Sequence, residues 1–335
     1  MIATACLSLV LALGVLWCGQ AGAVDIYPFY TFNQSPLIQT HGLPPVDNPV
    51  LMDTGRVRGM LAADLANNFG LDDSSREKIV LDGESYRLTL GLRYGLVKGV
   101  ETGIDIPFLV YSGGFLDTVI QGFHRAFGFS QNGRDEVPKN RLLFEYQRDN
   151  SQLFRMDHDT YGLGDIRLLA GVQLYRDEGP DSGAVALRAS IKLPTGDSGK
   201  FHGSGSTDFA LWLSGSGDYR LGAGHVAVYG GVGGLYMGKG DLLPGLQRQV
   251  AGFGTMGIGW SPVEWLAMKI QSDAHTPLYM NSKLAEIDSN AAQFMFGFTF
   301  ALPAEFTLDL AVIDDLIYTS ASPDVAYHLA LRRNF

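Results

Sequence analysis

Two adjoining stretches constrain this chain more than any other feature. In the first, Tyr86, Leu88, Leu90, Leu92, Tyr94 and Leu96 alternate with Arg87, Thr89, Gly91, Arg93 and Gly95. In the second, Val100, Thr102, Ile104, Ile106, Phe108 and Val110 alternate with Glu101, Gly103, Asp105 and Pro107. A period of 2 kept this long predicts strands that outrun the usual ~5–6 residues. Pairing Leu96 with Val100 keeps the apolar faces together and leaves the turn Val97-Lys98-Gly99, with glycine taking the left-handed position. That register sets Arg93 diagonal to Glu101 and Asp105, within reach of an ion pair on the polar face.

The same alternation recurs along the chain. It runs through Ile166, Leu168, Ala170, Val172 and Leu174, through Val185, Leu187, Ala189, Ile191 and Leu193, and through Phe294, Phe296, Phe298 and Phe300. Weaker strands near 56–67, 208–216, 223–236, 249–260, 264–274 and 306–314, with the last one, bring the expected number to twelve. The gaps between them alternate. Short ones ("VKG", "DEGPDSG", "SGDYRL", "SPVE", "PAE") take turns with long ones, of which the longest covers 112–164. This is the pattern of an all-β fold, a transmembrane antiparallel β-barrel of about 12 strands with its short turns on the periplasmic side. Trp260, Trp265, Tyr94 and Phe108 sit near strand ends, where interfacial girdles form. A soluble β-sandwich would need shorter strands and two sheets facing each other.

The final residues fit the same frame. Tyr327, Leu329, Leu331 and Phe335 keep the alternate spacing to the last position, broken by Arg333. In water such an ending is an exposed hydrophobic edge. In lipid it is the stave that must close on the first strand, because every backbone group there needs an internal partner. The four residues resemble the C-terminal signal by which the barrel-assembly machinery takes up outer-membrane barrels.

At the other end, "MIATACLSLVLALGVLWCGQAGA" reads as a secretory signal peptide over residues 1–23, with cleavage after Ala23. Beyond it no apolar run approaches the ~18 residues of a helical span. Both cysteines, Cys6 and Cys18, fall in the leader. The exported chain would have no disulfide, thiolate metal site or cysteine nucleophile. Residues 24–55 come next, then the barrel over 56–335.

Three stretches carry a family likeness: "YPFYTFNQSPLIQTHGLP", "LDGESYRLTLGLRYGLVKGVETGIDIPF" and "GGFLDTVIQGFHRAFGFSQNGRDEVP". They resemble an uncharacterised family of proteobacterial outer-membrane proteins, catalogued as a domain of unknown function, over nearly the whole exported chain. "YGLGDIRL" and "IKLPTGD" are more distantly similar to putative outer-membrane transporters of the phenol-degradation type. The resemblance implies the fold and a Gram-negative outer-membrane location. It implies no substrate.

The polar strand faces supply the candidate pore lining: Arg87, Arg93, Glu101, Asp105, Asp165, Arg167, Arg188, Lys192, Lys269, Asp273 and Asp309. Such charges either form a permeation path or pair across the lumen and stiffen it. Tyr27, Phe29, Tyr30 and Phe32, followed by Pro36, Pro44, Pro45 and Pro49, make 24–55 neither helix nor flexible linker. This segment is expected to fold into the lumen as a plug or to lie as a strap across the periplasmic mouth. In the long loop, Phe115, Val119, Ile120, Phe123 and Phe127 have helical spacing, and "NGRDEVPKNRLLFEYQRDN" reads as charged and hydrated.

Of the seven histidines, "SDAHT" around His275 and "DHD" around His158 are the best catalytic candidates, and neither carries a nucleophile motif. No catalytic residue, metal site, cofactor or nucleic-acid patch is assigned. The leading reading is passive passage of a small solute, hydrophobic ones included. A structural barrel, or one that engages a partner or lipopolysaccharide through its long loops, is the alternative. A lipid hydrolase comes third.

Overall fold

A computed structural model describes residues 24–128, 130, 131, 133–179, 181–315 and 321–335. The expected signal peptide lies outside these residues. The chain forms strands β1 (Val57–Asp73), β2 (Glu77–Val97) and β3 (Val100–Ser112), then helix α1 (Leu116–Phe127). There follow β4 (Leu143–Arg148), β5 (Ser151–Met156), β6 (Thr160–Leu163), β7 (Arg167–Asp177), β8 (Ser182–Lys192) and β9 (Asp208–Leu221). The remainder are β10 (Gly224–Met237), β11 (Val250–Val263), β12 (Leu266–His275), β13 (Ala291–Leu302), β14 (Phe306–Asp315) and β15 (Val325–Asn334).

All fifteen strands join one antiparallel sheet. It closes where β1 meets β15, with Leu61 opposite Leu331 and Leu65 opposite Tyr327. The closure runs to the end of the chain: the Phe335 N–H donates to the Val57 carbonyl at 2.8 Å, and the Val57 N–H returns the bond at 3.2 Å. β6 and β7 follow one another along β3 and act as one stave, interrupted at 164–166. With β4 and β5 standing above the wall, the barrel has 12 staves.

The distribution of side chains is inside out. Leu88, Leu90 and Leu92 are 45, 48 and 43 % exposed, whereas Arg87 and Arg93 on the opposite face are 7 and 4 % exposed. Hydrocarbon is the solvent that makes this arrangement favourable, and closure leaves no unpaired strand edge inside it. Trp260, Trp265, Tyr94 and Phe108 all face outward. So do Tyr327, Leu329 and Phe335 at the C-terminus. Arg333 fits among them because its guanidinium lies 4.7 Å from the Phe335 ring centre and 5.0 Å from that of Phe306. A cation on aromatic faces is tolerated at the membrane boundary, where its charge reaches water.

Three expectations need correcting. The β2–β3 register holds from Gly95–Glu101 upward, but the turn tightens: Val97 pairs with Val100 and Leu96 is bulged out, leaving Lys98-Gly99. The first long gap is a hairpin, since β1 and β2 continue in register to Asp73 and Lys78. The stretch read as hydrated contains β4 and the turn of the β4–β5 hairpin, with Phe144 and Tyr146 buried and Asp149-Asn150 turning at positive φ (49° and 61°). β4 pairs with the upper end of β2, so the wall rises above the membrane on this side.

Candidate functional site: a chain segment in the barrel lumen

Residues 24–55 traverse the barrel twice. The Val24 N–H donates to the Glu264 carbonyl (2.7 Å) in the short turn between β11 and β12. The chain rises to a tight tip at 35–41, where the N–H groups of Ile38 and His41 bond the Ser35 and Ile38 carbonyls at 3.0 Å. There the Tyr279 hydroxyl, from the long β12–β13 connection, donates to the Leu37 carbonyl (3.1 Å). The chain then descends and leaves at the short-turn end, where the Gly55 N–H reaches the Gly95 carbonyl (2.8 Å). Gly95 must be glycine here, because a Cβ on it would stand 2.0 Å from the Asp53 carbonyl oxygen. Tyr27, Phe29, Tyr30 and Phe32 are all buried, against inward-facing side chains.

An irregular segment enclosed in this way has backbone donors and acceptors that no ladder satisfies. Prolines remove some of the donors, and inward wall residues bond many of the rest. Lys269 donates to the Tyr27 carbonyl (2.9 Å), and Gln271 Oε1 accepts the Phe29 N–H (2.9 Å). Arg167 reaches the Leu43 carbonyl (2.8 Å) and Arg188 the Asn48 carbonyl (2.6 Å). Glu101 accepts the Met52 N–H (2.9 Å).

The candidate pore residues therefore occupy the lumen, and most of them touch this segment. Arg93 bonds Asp105 (2.9 Å), Asp47 (3.0 Å) and the Tyr30 hydroxyl, which itself donates to Asp105 (2.5 Å). The expected Arg93–Asp105 pair is thus present, while Glu101 turns to Arg188 (2.7 Å). The Phe32 ring lies between the guanidiniums of Arg87 (5.1 Å) and Arg167 (5.6 Å). Lys269 sits 3.8 Å from the Phe29 ring centre and pairs with Asp309 (3.2 Å), which also binds Arg332. Asp165 and Lys192 pair near the outer end beside Asp208 and away from the aromatic residues. Asp273 accepts from Gln271 (3.0 Å) and borders a gap of about 20 Å³ with Asn33 and Gln293. That gap has room for about one water.

Sequence reasoning missed several partners. Asp47 lies in the threaded segment. Asp64 accepts from Thr31 (2.7 Å) and lies 2.8 Å from His328 Nδ1. Gln173 donates to the Pro49 carbonyl (2.9 Å), and Arg332 holds Asp309. Asp64, Gln173 and Arg332 share the inward parity of their strands, so parity was the available signal. Asp47 had none.

The catalytic candidates do not assemble. His275 has Asn33 on one nitrogen (2.9 Å) and the Thr276 carbonyl on the other (2.9 Å). His158 is exposed beside Asp157 at 3.4 Å. Among the described residues the closest histidine–carboxylate pairs, Asp64–His328 and Asp218–His225 at 2.8 Å, have no serine hydroxyl on the second nitrogen.

Twelve staves, an apolar outer band and a charged interior threaded by the chain's own N-terminal segment define a membrane β-barrel with an occupied lumen. The chain belongs to the family described as "Protein of unknown function (DUF3187)", whose profile matches residues 4–335. No curated protein matches it significantly. Among solved structures it is similar to the COG4313 outer membrane channel from Pseudomonas putida F1. The identity is 14 %, 87 % of this chain and 100 % of that chain are covered, and the TM-score is 0.53. It also matches the toluene transporter TbuX of Ralstonia pickettii, with 11 % identity, 94 % and 97 % of the two chains covered and a TM-score of 0.38.

Proposed function

We propose that the chain is an outer-membrane channel for passive, diffusion-driven passage of a small solute, with residues 24–55 as its plug. The observation that carries this reading is how the segment is attached. The β1–β15 ladder closes the wall independently of it. The segment itself is held mainly by side chains and loops, with backbone bonds to the barrel at its two ends, Val24 to Glu264 and the Thr54–Gly95 bridge. It is therefore removable without opening the barrel. A twelve-stranded wall is wider than the eight-stranded kind whose interior side chains fill it.

A preference for hydrophobic solutes is supported by the outer mouth. There Leu37 and Ile38 of the tip join Tyr111, Phe144, Phe201, Leu278 and Leu284 in one buried apolar cluster. A solute entering past the tip would exchange water for this lining before it meets the charged interior.

The test is single-channel conductance of refolded residues 24–335 in a planar bilayer beside a form lacking 24–55. The shortened barrel is expected to give discrete steps, and the intact one rare or brief openings. Silence from both, with each shown to be folded, would sink the channel reading and favour a structural or binding barrel, which the filled lumen and ordered loops also suit.

A further inference from the structure

The outer wall carries a hollow. Across five neighbouring strands the outward residues Leu88, Ala63, Leu329, Leu310 and Phe298 stand in register. Ala63 is the one small side chain in that row. A concavity of about 580 Å³ opens around it, with almost entirely apolar walls. Tyr86 and Tyr327, one row nearer the long loops, form its upper edge.

Helix α1 lies along the rim directly above the same strands. The Glu84 carboxylate of β2 accepts the Phe115 and Leu116 N–H groups (2.7 and 2.6 Å) and the Tyr86 hydroxyl (2.6 Å). In the first turn Asp117 is held by Arg134 (2.9 Å), which also reaches Asp324 (2.7 Å), just before β15, and covers the Phe69 ring of β1 at 4.3 Å. Midway, Gln121 donates to the Arg134 carbonyl (3.1 Å). Near its end, His124 interacts electrostatically with Asp314 of β14. The helix therefore passes β2, β1, β15 and β14 in turn, parallel to the rim.

Its faces are sorted accordingly. Leu116, Asp117, Ile120 and Gln121 are buried against the protein. Phe115, Val119, Phe123 and Phe127, at i+4 spacing, are 57, 55, 52 and 66 % exposed. At ~100° per residue, exposed Thr118 and Arg125 fall on the side away from this apolar stripe. One flank therefore meets protein, one offers apolar surface and the third is polar, as for a helix lying in a membrane interface.

We propose that the hollow beside Ala63 and the overhanging helix form a docking site for one molecule of the phosphorylated glycolipid of the outer leaflet. An acyl chain fills the hollow, the Phe115–Val119 stripe covers the glycolipid's shoulder, and Arg125 in the last helical turn faces a head-group phosphate. The hollow continues the lipid-facing band, so its occupant is a hydrocarbon chain. The exposed cation at the helix end, Arg125, favours an anionic head. The site requires the barrel to lie in lipid but does not require it to conduct.

The test is native mass spectrometry of the folded full-length exported chain, released from detergent after titration with lipid A or with phosphatidylglycerol. A single lipid A adduct is expected at concentrations where phosphatidylglycerol gives none. Ala63→Trp, which fills the hollow, should weaken retention about tenfold, and Arg125→Glu several-fold. Heat-modifiable gel mobility should show both variants folded, and Ala63→Leu offers a milder filling if Trp impairs folding. Wild-type retention in the filled variants, equal retention of the two lipids, or no adduct at all would overturn the proposal.

Discussion

The tip of the threaded segment and its two limbs are held by different forces. The rising limb places aromatic rings against cations: Tyr27 by Arg332 (4.8 Å), Phe29 by Lys269 (3.8 Å), Tyr30 by Arg93 (5.3 Å). The returning limb has no aromatic residues and relies on Asp47 and on carbonyls bonded by Arg167 and Arg188. The tip, by contrast, buries Leu37 and Ile38 among loop hydrophobics, and its polar contact is the neutral pair His41–Tyr279 (2.8 Å). Ion pairs in a closed lumen are costly to break singly but gain little overall, because desolvation offsets their attraction. Apolar packing is less directional and is lost in proportion to the volume removed. The limbs thus fix where the segment lies, and the tip decides how firmly the outer mouth is shut.

The largest effect should come from the limbs. Arg93→Ala leaves Asp105 without its guanidinium and Asp47 with only the more distant Arg188 (4.0 Å), a loss of roughly 3–5 kcal/mol for a buried pair. The wall ladder does not depend on it, so the loss should appear as channel openings at least about a hundredfold more frequent, with the barrel still folded. Making the same change in an Asp105→Ala background should cost clearly less, the signature of coupled charges. Additive effects would show that the pair does not anchor the limb. At the tip, Leu37→Ala should loosen the mouth by about 2–5 kcal/mol, whereas Leu37→Met keeps the volume and should cost less than about 1.5. If Met opens the channel as readily as Ala, packing is not what holds the tip.

The same contrast explains what the sequence made legible. Wall strands are solvated by lipid on one side and charge on the other, so their period of 2 is clean, and Tyr86–Leu96 could be read directly. Above the membrane both faces of the wall meet water or packed loops. The alternation fades at Asp82 and Glu84, so the legible stretch Tyr86–Leu96 starts well inside the Glu77–Val97 span of β2. The β4–β5 hairpin was hidden for the same reason, although Asp149-Asn150 was an available turn signal. Which inward residues exist follows from parity, but which carbonyl each one meets does not. The path of an irregular, proline-rich segment is written in long-range contacts, such as Arg188 to Asn48, that no local pattern encodes.

The smallest effect is the most informative about the tip, because it reads out His41, a titratable group of the tip itself. The Tyr279 hydroxyl donates to Leu37, so His41 must carry its proton on Nε2 to donate to Tyr279. Its bare Nδ1 is 4.0 Å from Asp208, but that carboxylate is already bonded by the Gly42 N–H (2.8 Å) and faces Lys192 (3.4 Å). Burial, assisted by the Lys192 charge, pushes the imidazole from 6.5 down to about 3. The released segment would protonate near the ordinary value, so docking of the tip is strongest above pH 6.5 and weakens as pH falls toward 3. Two pH units of that window are worth at most about 2.7 kcal/mol, or roughly a hundredfold. The loop carboxylate of Glu286 acts in the opposite sense: burial, with Asp72 nearby, raises it to about 7, so its loop packs better as pH falls toward 4.5. In a Glu286→Gln background, which removes that opposition, open probability should climb steadily between pH 6.5 and 4.5. Adding His41→Asn, which keeps a donor for Tyr279 without a titrating group, should flatten the climb. A profile that His41→Asn leaves unchanged would place the pH response in the limbs and remove the tip as the gate.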